Sequence, residues 1–114
     1  MISVRQLTKL DIEMLEGYWL CHKANKQELK YLEENCPPGR EPRVERLKLI
    51  TEAIDELSKT DDEDLKTIIE MRYQKSPEPT DWEEISDILF MSKSRVLRKR
   101  KVLLAYTADL IGWV

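Results

Sequence analysis

The sequence predicts an all-α protein, and two features carry this prediction. Only three of the 114 residues are glycine and 36% are charged, a composition typical of amphipathic helices rather than sheets. Apolar residues also recur at three- and four-residue spacing along most of the chain. This length suits one compact domain, or a small domain with a helical extension. We predict about five helices: a long N-terminal helical hairpin or arm in residues 1–59, then a three-helix unit in residues 60–114.

The first helix is predicted from residue 9 to about residue 34. Thr8 and Asp11 have the spacing of a capping box, in which each side chain bonds to the other residue's backbone N–H. Such a helix spans roughly 39 Å at 1.5 Å per residue, so it needs a partner helix to cover its apolar stripe. His22 lies on this stripe, where we expect a packed polar residue rather than a pH switch. The apolar residues of the stripe are Ile12, Leu15, Trp19, Leu29 and Leu32.

The clearest break in the chain is predicted at residues 35–42, because three prolines and a glycine forbid a continuous helix there. Pro42 suits the first position of the next helix, predicted from about residue 43 to residue 59. This helix either folds back on the first as an antiparallel hairpin or pairs with the helices of a second subunit in a homodimer. Both arrangements bury its apolar face, and the sequence does not choose between them. That face consists of Val44, Leu47, Ile50, Ile54 and Leu57.

A short third helix is predicted after residue 60. The acidic residues 61–64 suit its start, where the helix dipole favours negative charge. Its apolar residues are Leu65, Ile68, Ile69 and Met71. The helix is expected to end near Tyr73, and a polar loop with prolines follows at residues 74–79. Trp82 begins the next helix, and we expect its ring to pack on the third helix around Ile69 and Tyr73.

Residues 80–105 predict a helix, a tight turn and a second helix. Ile85, Ile88 and Leu89 form the apolar face of the first of these helices. Residues 90–92 break the pattern, and Ser92 is a good N-cap for the second helix. We expect that second helix to continue past residue 105, to about Ile111.

Charge is segregated along the chain. Six of the 19 basic residues lie within residues 93–101, and no acidic residue occurs between Asp87 and Asp109. The other 13 basic residues face 22 acidic ones, a net charge of −9, whereas the whole chain carries −3. A basic helix on an acidic body is typical of a helix that lies against phosphates. The acidic body would repel DNA elsewhere and so restrict docking to one orientation.

The same stretch resembles a known family. Its sequence WEEISDIL, followed by MSKSRV and RKR, is similar to the helix-turn-helix of region 4 of bacterial sigma-70 factors. It resembles still more the small phage and prophage transcriptional regulators with this motif, of the late-gene or autolysin-regulator type. Those proteins also have a long N-terminal helical segment and a hydrophobic helix ending in Arg-Tyr, as Arg72 and Tyr73 do here. Two residues depart from the pattern, since Phe90 occupies a small turn position and Lys99 an often apolar one.

This resemblance implies a sequence-specific transcriptional regulator that binds double-stranded DNA, with the helix at about residues 93–105 in the major groove. The candidate base contacts lie on or near the leading exposed face of that helix: Lys93, Ser94, Arg95 and Arg98. The candidate phosphate contacts are Ser92, Lys99, Arg100 and Lys101. RNA polymerase is a second candidate partner, because region 4 of sigma factors contacts it.

Two other functions stay open. A small packaging-terminase subunit also joins a helix-turn-helix to an oligomerising helical part, and it predicts a ring of many copies. An interaction module without direct DNA binding would suit the acidic body and the long amphipathic helices. An enzyme is not predicted, because the chain has one histidine, no glycine-rich phosphate loop and no pairing of a nucleophile with a base.

No cofactor or metal site is predicted. The imaginable ligands are Cys21, His22 and the distant Cys36, but adjacent helical residues cannot face one point. We expect both cysteines to be reduced thiols. No apolar run approaches the length of a membrane span, and residues 1–11 lack the hydrophobic block of a signal peptide. We therefore expect a cytoplasmic protein without a membrane partner.

Overall fold

The computed structural model describes residues 7–35, 37–74 and 78–113, and all regular structure in these ranges is helical. The predicted all-α class is confirmed for these residues. The helices are α1 (Lys9–Leu20), α2 (His22–Asn35), α3 (Glu41–Leu57), α4 (Glu63–Ile68, continued by a π-helical segment, Ile69–Gln74), α5 (Trp82–Leu89) and α6 (Lys93–Ile111).

The predicted capping box at the start of α1 is confirmed. The Thr8 hydroxyl accepts from the Asp11 N–H at 3.1 Å, and the Thr8 N–H donates to the Asp11 carboxylate at 2.9 Å. The single helix predicted from residue 9 to residue 34 is wrong at one position, because Cys21, with φ −96° and ψ 9°, separates α1 from α2. The two parts then pack on different partners: α1 contacts α6, whereas α2 contacts α3.

Helix α3 begins at Glu41, so Pro42 is its second residue rather than the predicted first one. It packs against α2 and α6 of the same chain. Between α2 and α3, the guanidinium of Arg43 donates two hydrogen bonds to the Glu28 carboxylate, at 2.9 and 3.0 Å. The described chain thus adopts the intramolecular hairpin, and the homodimer remains a prediction.

The core lies where the other helices meet α6. The indole Nε1 of Trp19, in α1, donates to the Thr107 hydroxyl of α6 at 3.0 Å, and both side chains are buried. The second half of α6 supplies Leu103, Leu104, Ala105 and Ala108 to the same core. Because α6 contacts α1 and α3 as well as α4 and α5, it joins the two parts of the chain. The predicted boundary near residue 59 stays a prediction.

The third predicted helix is α4 with its π-helical continuation, and it ends at Gln74. Asp62 is its N-cap, accepting from the N–H groups of Asp64 and Leu65 at 3.0 and 3.1 Å. Tyr73 meets Trp82 edge-on, with ring centroids 6.5 Å apart, which confirms the predicted packing of Trp82 on this helix. Of the predicted loop, residues 75–77 lie outside the described residues.

Candidate nucleic-acid interface

The turn between α5 and α6 determines where the basic helix begins. Helix α5 ends at Leu89, and Phe90 follows in the left-handed conformation, with φ 54° and ψ 43°. The Ser92 hydroxyl then accepts from the Arg95 N–H at 3.2 Å, so Ser92 is the N-cap of α6. The hydroxyl predicted to contact phosphate is therefore already engaged in capping. Helix α6 begins at Lys93, and its first turn contains two of the six basic residues, Lys93 and Arg95.

Four of the predicted contact residues share one exposed face of α6. Three of them lie one, four and seven residues after the first, Ser94, within two turns, and this puts all four on one side of the helix. The opposite side carries Val96 and Leu103, both buried. We call this set the outward stripe; its members are Ser94, Arg95, Arg98 and Lys101. None of its three cations forms an ion pair with a carboxylate of the described residues.

A shallow, open groove lies beside the outward stripe, between α6 and α1. Its volume is about 410 Å³, and Ser94, Arg98, Arg100 and Lys101 line it together with the apolar Ile12 and Leu97. Within the described part of the chain, none of the side chains lining this groove is a carboxylate. It therefore offers cationic and apolar groups together, as base edges and phosphates would require.

Lys93 stands at the rim of this surface. Its ammonium lies 3.6 Å from a carboxylate oxygen of Glu83 in α5, and both side chains are more than half exposed. Exposed pairs of this kind contribute little stability. Lys93 is thus available to a phosphate or a base at small cost.

Lys99 and Arg100 are less exposed and face carboxylates of the body, although Arg100 also borders the groove; we call them the inward pair. The ammonium of Lys99 lies 3.3 Å from Asp64 and 4.0 Å from Asp62, at the start of α4. The guanidinium of Arg100 lies 3.7 Å from the Glu16 carboxylate of α1. Both side chains are at most a quarter exposed. Two of the four predicted phosphate contacts are therefore paired with carboxylates of the body.

Sequence reasoning missed the cluster around Arg100. The Trp82 ring has Arg72 on it, 4.7 Å from the guanidinium carbon to the ring centroid, and Arg100 at 5.4 Å. Arg72 also donates to the Thr80 carbonyl at 3.0 Å. Cation–π contacts of this kind are most favourable on tryptophan. With Trp82 only 9% exposed, its ring supports the fold and has no free face for a nucleobase.

Glu16 connects this cluster to α1. Its carboxylate accepts from the Tyr73 hydroxyl at 2.8 Å as well as facing Arg100. Burial, and then the negative charge and hydrogen bond of Glu16, raise the pKa of Tyr73 far above its ordinary value, so its hydroxyl stays protonated and donating. Residues from α1, the π-helical segment, α5 and α6 thus hold the basic helix at a defined angle to the body.

Metal ligands do not gather anywhere in the described part of the chain: no group of three His, Cys, Asp or Glu residues could hold an ion. His22 instead pairs with Asp55, with 2.8 Å between Nε2 and the carboxylate oxygen. Cys36, the third imaginable ligand, lies outside the described residues. Within the same ranges, no helix combines the length and apolar character needed to cross a bilayer.

The chain belongs to the DUF722 family, described as a protein of unknown function, and the family model matches residues 6–107. The match includes α1 through α5 and the whole outward stripe on α6. No curated protein and no solved structure matches the chain.

Proposed function

We propose that this protein is a sequence-specific, double-stranded-DNA-binding transcriptional regulator of phage or prophage genes, with α6 as the helix that enters the major groove. It acts in the cytoplasm and has no catalytic activity. The observation that carries the proposal is the outward stripe, in which a serine and three cations share one exposed face of a helix, and these cations form no ion pair with a described carboxylate. An unpaired cation row on an otherwise acidic protein fits a polyanion and restricts it to one orientation.

The members of the outward stripe and the neighbouring Lys93 have different roles in this proposal. Arg95 and Arg98 read guanines, because a guanidinium can donate to O6 and N7 of one base together. Ser94, at the leading end of α6, reaches a base edge or a phosphate. Lys101 and Lys93 contact phosphates, which set the register and supply salt-dependent affinity.

The turn region supports a helix-turn-helix interpretation of α5 and α6. A short helix, three connecting residues and a capped long helix lie in the order that the resemblance to sigma region 4 implies. Helix α4 contacts both α5 and α6, as the third helix of such a unit would. RNA polymerase remains a second proposed partner on the same resemblance.

The test is equilibrium binding to DNA fragments from the neighbourhood of the protein's own gene, measured across a series of salt concentrations. Wild-type protein is compared with the double variant Arg95→Ala, Arg98→Ala. Lys30→Ala, Lys48→Ala is the matched control, because it removes two exposed cations from α2 and α3. We expect tight binding to one fragment, falling steeply with salt, and a loss of about 30-fold or more in the stripe variant at about 1–3 kcal/mol per arginine.

Circular dichroism should show the same helicity for all three proteins, because all four altered residues are exposed. Equal, weak binding of every fragment would reject the proposal. So would equal losses in the stripe variant and the control. In either case the acidic body and its protein partners, RNA polymerase first, become the better hypothesis.

A further inference from the structure

Phe90 combines two unfavourable properties at the C-terminal end of α5. Its left-handed conformation caps that helix, because the N–H groups of Phe90 and Met91 donate to the Asp87 and Ser86 carbonyls at 3.2 and 3.1 Å. Capping does not explain why an exposed phenylalanine, rather than glycine, occupies this position. Its side chain is 95% exposed, the highest value among the large apolar residues described. Its backbone is left-handed, and no other non-glycine residue in the described ranges has a positive φ. A β-carbon makes this conformation costly, whereas glycine adopts it freely. An exposed apolar ring held on a strained backbone gives reason to look for a function.

The position of Phe90 favours nucleic acid as its partner. It precedes α6 by three residues, so its Cα lies at most about 11 Å from that of Lys93. The segment that follows it carries six basic residues and no acidic one up to Asp109. Ile88, 43% exposed, adds apolar surface next to it. Phe90 thus places an exposed apolar ring just before the leading end of the helix that carries the outward stripe, so under the proposed function the ring lies close to the DNA that this helix enters.

We infer that Phe90 is a specificity-determining residue, whose ring packs against the C5-methyl group of a thymine at the edge of the DNA site. This inference rests on the proposed function and adds a base preference to it. The thymine methyl is the apolar group that base pairs present in the major groove, and cytosine lacks it. A ring that precedes the leading end of α6 lies at the rim of the groove when that end enters it.

Loss of the contact should weaken binding by about threefold to tenfold, the effect of burying one methyl group and part of a ring edge. Glycine adopts this backbone conformation without strain, and it also lacks the ring. Phe90→Gly therefore removes the contact while relieving the backbone, and it should fold at least as stably as wild type. A loss of DNA affinity in a protein of equal or greater thermal stability separates contact from folding.

The experiment starts with duplexes selected from a random-sequence library by the wild-type protein. Each thymine of the selected site is then replaced in turn by deoxyuracil, which pairs identically but lacks the methyl group. With wild type, one or two edge positions should lose about threefold to tenfold in affinity. Phe90→Gly should bind the thymine duplex as weakly as wild type binds the deoxyuracil one, with no further loss at those positions. Leu110→Ala, a remote and 42% exposed apolar residue, should leave the whole pattern unchanged.

Three results would overturn the inference. Phe90→Gly could retain both wild-type affinity and wild-type sensitivity to deoxyuracil, which means the ring reads nothing. It could lose affinity while wild type tolerates every deoxyuracil, which assigns the ring to something other than a thymine methyl. If wild type selects no duplex at all, the proposed function itself fails, and this inference fails with it.

Discussion

The outward stripe and the inward pair belong to one run of basic residues, yet they differ in almost every physical respect. Arg98 is exposed and has no carboxylate partner among the described residues, whereas Arg100, two positions later, is 19% exposed and faces both Glu16 and Trp82. The cause is helical register, because residues two apart lie on nearly opposite sides of a helix. A basic run is therefore not one binding surface.

Under the proposed function, the two groups also divide stability from recognition. Cations of the outward stripe contribute little to folding, because solvent already satisfies them. Cations of the inward pair join α6 to α1 and to the start of α4, and the carboxylates there offset their charge. The positive field in front of α6 thus comes from Lys93 and the outward stripe rather than from all six basic residues.

The largest expected effect separates Arg100 from Arg98. Arg100→Ala removes a cation from the Trp82 ring and leaves the Glu16 carboxylate, 15% exposed, with the Tyr73 hydroxyl alone. We expect the free energy of unfolding to fall by about 2 kcal/mol, less than for a fully buried pair because both side chains keep some solvent contact. Urea unfolding measures this.

Arg98→Ala is the matched variant, with an expected change within about 0.5 kcal/mol. Under the proposed function, DNA affinity measured without denaturant should show the opposite order: it falls strongly in Arg98→Ala and little in Arg100→Ala. Equal destabilisation by the two variants would mean that register does not divide the roles as described.

The second effect compares two serines. Ser92→Ala removes the hydroxyl that accepts from the Arg95 N–H, so we expect a loss of about 1 kcal/mol of stability, the usual cost of an N-cap. Ser94→Ala, inside the helix and exposed, should be neutral or slightly stabilising because alanine is the better helix former. Thermal unfolding of the two variants decides, and a Ser94 effect as large as that of Ser92 would contradict the assignment of the cap.

The third comparison uses the salt dependence of DNA binding to separate the role of Lys101 from that of Lys99. Under the proposed function, Lys101→Ala removes a phosphate contact and lowers the slope of log affinity against log salt by about 1. Lys99→Ala should leave the slope nearly unchanged, because Asp64 already pairs with that ammonium at 3.3 Å. If Lys99→Ala lowers the slope as much, its ammonium leaves Asp64 when DNA binds.

Local features of this fold could be predicted from the sequence. The capping box at Thr8, the N-cap at Ser92, the extension of α6 to Ile111 and the packing of Trp82 on Tyr73 each depend on residues close in the chain or on a strong apolar pattern. The all-α class followed from the same signals. Helical spacing from Val96 could also have shown that residues 99 and 100 turn inward, since three- and four-residue steps lead to them.

Long-range partners could not be predicted. Nothing near Arg100 in the chain indicates Glu16, which lies 84 positions away in α1. The interruption at Cys21 has no proline or glycine at that residue to signal it. Helices α1 and α2 pack on different partners, and tertiary packing overrides local propensity.

The smallest effect tests paired charges far from α6. Asp55 accepts from His22 at 2.8 Å and from Lys26 at 3.1 Å. Partial burial raises the pKa of the Asp55 carboxyl, but the two hydrogen bonds outweigh it and hold that pKa below its ordinary value. The ionised form is thus favoured in the folded protein, so Asp55 stabilises the fold above its unfolded pKa, and this contribution disappears as the pH falls through the lower, folded pKa.

Asp55→Asn should therefore cost about 0.5 kcal/mol at neutral pH, a value kept small because the carboxylate is 45% exposed. Unfolding curves between pH 7 and acid should converge for wild type and variant, while Glu52→Gln, exposed on the same helix, should follow wild type throughout. If the free energies of unfolding of wild type and Asp55→Asn differ by the same amount at every pH, the effect comes from the shape of the side chain rather than from its charge. Convergence would instead assign the effect to the charge of Asp55. It would then match the contrast in α6, where the inward pair faces carboxylates of other helices and the cations of the outward stripe face none among the described residues.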